Sequence, residues 1–93
     1  MMEILFQNEV IGKIENTYRE EYWVHGKFIP YTNYLKYKSF LDTVASEDGP
    51  DVTRFSKELL DENNWFVKSN DGLKGIWIPA IYYDDSEISI RYR

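Results

Sequence analysis

The stretch WFVKSNDGLKGIWI, residues 65–78, constrains the fold more than any other part of the chain. Two runs rich in aromatic and β-branched residues flank Asn70-Asp71-Gly72. Asp-Gly is a strong two-residue hairpin signal, because both positions tolerate positive φ. With Asp71-Gly72 as the turn, Trp65 faces Ile78, Val67 faces Ile76 and Phe66 faces Trp77. Side chains alternate between faces along a strand, so Trp65, Val67, Ile76 and Ile78 share one face while Phe66 and Trp77 share the other. Pro79 cannot donate to a ladder, so the strand bends or loses a partner there. After a YYDDSE turn, EISIRYR places Ile88, Ile90 and Tyr92 inward and Glu87, Ser89, Arg91 and Arg93 outward.

The N-terminal third reads the same way. EILFQ (3–7) and VIGKIENTY (10–18) form two strands joined tightly at Asn8-Glu9, and EEYWVHGKFI (20–29) forms a third. Alternation puts Tyr22, Val24 and Phe28 on a core face and Glu21, Trp23, His25 and Lys27 on the opposite one. Pro30 ends this strand, and Thr32 or Asn33 caps a helix over 33–45. Its stripe is Tyr37, Phe40, Leu41 and Val44, with Tyr34 one step earlier, at the spacing of a buried helical face. A Gly-Pro loop follows. A shorter helix over 52–62 presents Val52, Phe55, Leu59 and Leu60.

The order βββααβββ, without βαβ alternation, predicts one α+β domain over residues 1–93. About six mainly antiparallel strands would carry two helices on one face, with a partly closed β-barrel as the alternative. The chain has no cysteine, so disulfides and thiolate metal sites are excluded. Its N-terminus lacks the basic and apolar regions of a signal peptide, and no apolar run reaches the roughly 18 residues of a membrane-spanning helix. A cytoplasmic protein with no membrane attachment is expected.

The formal net charge of −5 resides in one segment. Residues 42–62 hold seven acids against Arg54 and Lys57, and the acids outside it are balanced by bases. Glu47, Asp48, Asp51, Glu58, Asp61 and Glu62 form the expected acidic patch. Such a patch repels phosphate backbones and attracts basic partners, so nucleic acid is not expected as a ligand. The plainer reading is a solvated face that keeps the chain soluble.

Catalytic signals are sparse. His25 is the single histidine, and no serine has the glycine context of a nucleophile elbow. Glu21 shares its strand face and could orient it, as could Glu20 if the register slips. One histidine without cysteines excludes the usual zinc sets, and neither SEDGPD nor DDSE has calcium-loop spacing. No catalytic residue, metal or cofactor is expected.

The feature left without a structural home is aromatic. Trp23 and His25, with Phe66 and Trp77, fall on the face away from the helices. Exposed contiguous aromatics mark interaction surfaces, where Trp and Tyr dominate binding energy. A short, acidic, cysteine-free, aromatic-rich domain resembles immunity or antitoxin-type inhibitors in composition. That resemblance implies a non-catalytic protein-interaction domain with a basic protein partner. Self-association through the same face, or through the C-terminal edge strand, is a further expectation. A small-molecule pocket or minor active site lined by Trp23, His25, Tyr31 and Tyr34 is the alternative.

Overall fold

A computed structural model describes residues 2–46 and 55–93. Its strands are β1 (Met2–Phe6), β2 (Glu9–Glu20), β3 (Trp23–Pro30), β4 (Trp65–Ser69), β5 (Gly72–Gly75), β6 (Ala80–Tyr82) and β7 (Glu87–Arg91). Helices α1 (Lys38–Val44) and α2 (Lys57–Leu60) lie between β3 and β4, and short 3₁₀ turns occupy Thr32–Lys36, Glu62–Asn64 and Tyr83–Asp85. The strands form one mainly antiparallel, seven-stranded sheet in the order β5-β4-β1-β2-β3-β7-β6, which fits the α+β class. Among the described residues there are seven strands rather than the expected six: the run after the 70–72 turn gives β5 only as far as Gly75, and a short unexpected strand, β6, follows Pro79 and takes in Tyr82 from the expected turn.

The ladder is open, yet its two ends meet at one residue. Ile76 donates its N–H to the carbonyl of Trp65, the first residue of β4, and bridges to Tyr92 just beyond β7. Trp77 N–H then donates to the Arg91 carbonyl and Arg93 N–H to the Gly75 carbonyl. The sheet therefore curls, and β5 and β6 belong to one bent path that serves β4 first and β7 afterwards.

One face of this curl is the core. Ile4, Phe6, Ile14, Val24, Phe28, Trp65, Val67, Ile76, Ile81, Ile88 and Ile90 are buried there, and Tyr34, Phe40 and Leu41 pack down from the helical side. Trp65 is the largest fully buried side chain. Its ring meets Phe6 edge-on at 5.0 Å, stacks on Phe40 at 6.2 Å, and its indole N–H donates to the Leu59 carbonyl at 2.9 Å. That bond satisfies the one polar atom the ring brings into the core, as burial requires.

The turns depart from expectation in position more than in kind. The first hairpin turns at Gln7-Asn8, with Gln7 at φ 54°, one residue earlier than Asn8-Glu9. The second turns at Glu21-Tyr22, with Glu21 at φ 55°, so Tyr22 is turn rather than core and is 72% exposed. In the third, Ser69 pairs with Gly72, so Asn70-Asp71 is the turn and Gly72 follows at φ 104°. The two-residue turn is thus Asn70-Asp71, with the positive-φ glycine just after it, rather than Asp71-Gly72. Opposed residues accordingly move by two: Phe66 faces Gly75 instead of Trp77, and Trp65 sits opposite Ile76 instead of Ile78. A shift of two preserves the face of every side chain.

The expected helix over 33–45 is a 3₁₀ turn followed by α1. Asn33 does not cap a helix; its amide donates to the Val10 carbonyl at 2.7 Å and to Glu9 Oε2 at 3.0 Å. Glu9 also accepts from Lys36 Nζ at 2.6 Å and from the Tyr37 hydroxyl. Tyr31 N–H donates to the Ile11 carbonyl. Residues 31–37 are thus tied to the β1–β2 hairpin, and the α-helix starts only after those ties end. These donors, Lys36 foremost, hold the Glu9 carboxyl down at about 2, while burial and the bond to Glu9 push the Tyr37 hydroxyl up to about 12. The second helix, expected over 52–62, spans Lys57–Leu60; its expected start at Val52 lies outside the described residues.

Candidate interaction surface

The outer face of β2, β3, β7 and β6 gathers an aromatic cluster because of a defect in β2. Glu15 pairs with Lys27, but Tyr18 pairs with His25, so β2 carries one extra residue between them. Asn16 takes that place at φ 53°, in the left-handed region that asparagine tolerates better than most residues. Beyond the bulge the faces exchange, and Tyr18 emerges outward beside His25, with ring centroids 5.2 Å apart. Trp23, two residues before His25 on β3, stacks near it at 6.4 Å. Tyr82 completes the group from β6. Tyr18, Trp23 and Tyr82 are 62%, 40% and 42% exposed, which is high for rings of this size.

His25 lies at the middle of the group and is fixed there. Its Nδ1 is 2.6 Å from Ser89 Oγ on β7, and its Nε2 is 3.9 Å from Glu20 Oε1. Glu20, Trp23, His25, Ala80, Tyr82 and Ser89 line a shallow depression of about 280 Å³. The carboxylate facing the imidazole is Glu20 rather than Glu21, since Glu21 sits in the turn. Ser89 lies inside the ladder, between His25 of β3 and Ala80 of β6.

The four expected surface residues are not gathered into one cluster. Trp23 and His25 are adjacent. Trp77, 45% exposed, lies on the far side of Arg91 from Trp23: Trp23 pairs with Arg91 in the ladder, and Trp77 bonds its carbonyl. Phe66 is half-buried and capped by Arg93, whose guanidinium lies 5.5 Å above the ring. That guanidinium donates to the Ile76 and Trp65 carbonyls and to Asn63 Oδ1, so it is committed to the seam. Of the expected pocket lining, Trp23 and His25 border the depression, but Tyr31 and Tyr34 do not. Tyr34 is fully buried, stacked on Tyr83 at 5.6 Å, and Tyr31 donates to Glu3.

Of the acidic patch, Glu58 and Asp61 are exposed and Glu62 is half-buried around α2, and Asp61 accepts from Asn63 N–H. Glu47, Asp48 and Asp51 lie outside the described residues. Among the described residues no cluster of three or more acidic or histidine side chains is placed to hold a metal, and no helix is long and apolar enough to cross a membrane.

Tyr18, Tyr82 and Ser89 join the cluster although none of them is among the residues expected at the interaction surface. Ser89 was legible by alternation alone. Tyr18 was not, because nothing in ENTYR marks Asn16 as the extra residue. No protein-family model, curated protein or solved structure matches this chain.

Proposed function

We propose that this chain is a small non-catalytic protein-interaction domain that binds a protein partner through the outer sheet face around Trp23, Tyr18, His25 and Tyr82. The observation that carries the reading is the adjacency of these exposed rings on a face the helices leave uncovered. Rings held in a sheet lose little conformational freedom on binding, which is what interface anchors require. The acidic segment favours a basic partner, in the manner of an immunity or antitoxin-type inhibitor, and would speed encounter rather than fix affinity. The test is capture of a basic partner from lysate of the source cells, followed by reconstitution with the purified partner. Trp23→Ala with Tyr82→Ala should weaken the reconstituted complex by a hundredfold or more, on the order of 3 kcal/mol. Undiminished affinity in that double variant would reject this face as the working surface. Added salt should slow association more than it speeds dissociation.

A second reading has one observation behind it, the Ser89–His25–Glu20 line in the depression beside Trp23. It would make the domain a small-molecule binder or a minor hydrolase with Ser89 as nucleophile. Two facts weigh against catalysis: Glu20 stands 3.9 Å from the imidazole, and Ser89 sits between two ladder partners rather than at a strand end or turn. Hydrolysis of p-nitrophenyl acetate that disappears in both His25→Ala and Ser89→Ala would favour this reading; a rate equal to that of the variants would end it.

A further inference from the structure

We infer a ligand site at the open end of the curled sheet, on a different surface from the aromatic face, that takes a small organic anion carrying a flat ring, of about the size of a nucleoside monophosphate. The groove there has a volume of about 590 Å³, within the range of small-molecule sites. Ile14 and Tyr92 line it among polar groups that include Lys13, Asn16, Asn70 and Lys74. Its walls are the two irregular places of the sheet: the Asn16 bulge, at φ 53°, and the 70–72 turn, with Gly72 at φ 104°. Bulges concentrate beside binding sites because they re-aim side chains, and a non-glycine residue held at positive φ costs energy that the surroundings must offset.

Charge selects the ligand class. Lys74 Nζ lies 5.6 Å and the Arg19 guanidinium 5.8 Å from the centroid of the Tyr92 ring. Neither pairs with a described carboxylate within 4.0 Å, a property they share with Lys27, Lys68 and Arg91; what sets them apart is that both converge on the Tyr92 ring. Lys74 from the groove lining and Arg19 from just outside it both lie over the Tyr92 ring, so an anion that draws either cation to itself uncovers a ring face on which a flat ligand can stack. The carboxylates on the rim, Glu15 and Asp71, set the limit on ligand charge. Glu15 is engaged by Lys13, but Asp71 in the turn would repel a polyanion, so a single phosphate or carboxylate fits and a nucleic-acid backbone does not.

The experiment is a titration of the ¹⁵N-labelled chain with adenosine monophosphate, adenosine and inorganic phosphate, read by amide shifts and calorimetry. Adenosine monophosphate should move amides in 13–17, 69–74 and 92, and bind more tightly than either fragment. Lys74→Ala and Arg19→Ala replace exposed residues, and circular dichroism should show both folded. Each should weaken binding roughly tenfold. Trp23→Ala should leave the titration unchanged, which separates this site from the outer face. Adenosine binding as tightly as the monophosphate, unchanged affinity in both cation variants, shifts confined to other residues, or no shifts at millimolar ligand would each overturn the assignment.

Discussion

Trp65 offers the sharpest test of how this core is built. Trp65→Phe keeps an aromatic body but deletes the indole N–H and leaves a gap where the second ring stood. Loss of the 2.9 Å bond to the Leu59 carbonyl costs about 1 kcal/mol, since Leu59 is only partly buried and water can reach its acceptor. The gap adds about 1 kcal/mol more, because the edge contact to Phe6 and the stack on Phe40 survive only in part. The expected loss is about 2 kcal/mol, out of roughly 5–14 kcal/mol for a domain of this size. That corresponds to a Tm lower by about 8–16 °C. Trp65→Ala should cost about 3–5 kcal/mol and approach the limit of stability. Trp23→Phe and Trp77→Phe, at rings 40% and 45% exposed, should each stay within about 0.5 kcal/mol of the parent. Urea unfolding followed by far-ultraviolet circular dichroism suits all four variants, because fluorescence would change with the substituted indole itself. If Trp65→Phe fell within 0.5 kcal/mol of the parent (roughly the spread of surface substitutions), or matched Trp23→Phe, Trp65 would not be the buried anchor its packing implies.

Three further outcomes follow from local geometry. Gly26→Ala would place a methyl 2.5 Å from Ile14 Cγ2 and 2.9 Å from the Glu15 carbonyl oxygen, and the backbone atom cannot yield; thermal melts should show a loss of about 1–3 kcal/mol. Glu9, held near 2 in the folded chain against an ordinary 4.5, contributes stability that is complete above pH 4.5 and lost as pH falls toward 2. Tyr37, raised from 10 to about 12, contributes stability that is complete below pH 10 and lost as pH rises toward 12; Glu9→Gln should flatten the acid limb of the stability–pH profile, and an unaltered acid limb would show that Glu9 is not its source. Arg93→Ala removes donors to the Ile76 and Trp65 carbonyls and should cost about 1 kcal/mol in urea melts; Arg93→Lys should restore little, since an ammonium cannot span three acceptors as a guanidinium does.

Faces were more legible than partners. Alternation in EISIRYR and WFVKS placed Ile88, Ile90, Trp65 and Val67 inside correctly, because burial on one side imposes a period of two on every strand. The helical stripe from Tyr34 to Val44 likewise names residues that pack on the core. Turn positions slipped by one or two residues. Gln7, Glu21 and Asn16 adopt positive φ without being glycine, and composition carries no mark of that. The slip at Asn16 had the largest effect, since it decided that Tyr18 joins His25. A partly closed barrel was among the expected folds, but the place where the sheet ends meet, Ile76, was not legible: it depends on total curl, a property of all the strands together. The acidic segment was the reverse case, plain in composition but only partly placed in space, through Glu58, Asp61 and Glu62.

The single-residue seam at Ile76 has a consequence for the growing chain. Until residues 91–93 have left the ribosome, the path after β5 has no strand to receive it, and β3 lacks its neighbour β7. During that interval the nascent molecule offers two bare hydrogen-bonding borders and a half-lined apolar trough. Such a species invites pairing with a neighbouring copy, so holding newly made chains apart should improve recovery more than any change to the finished surface.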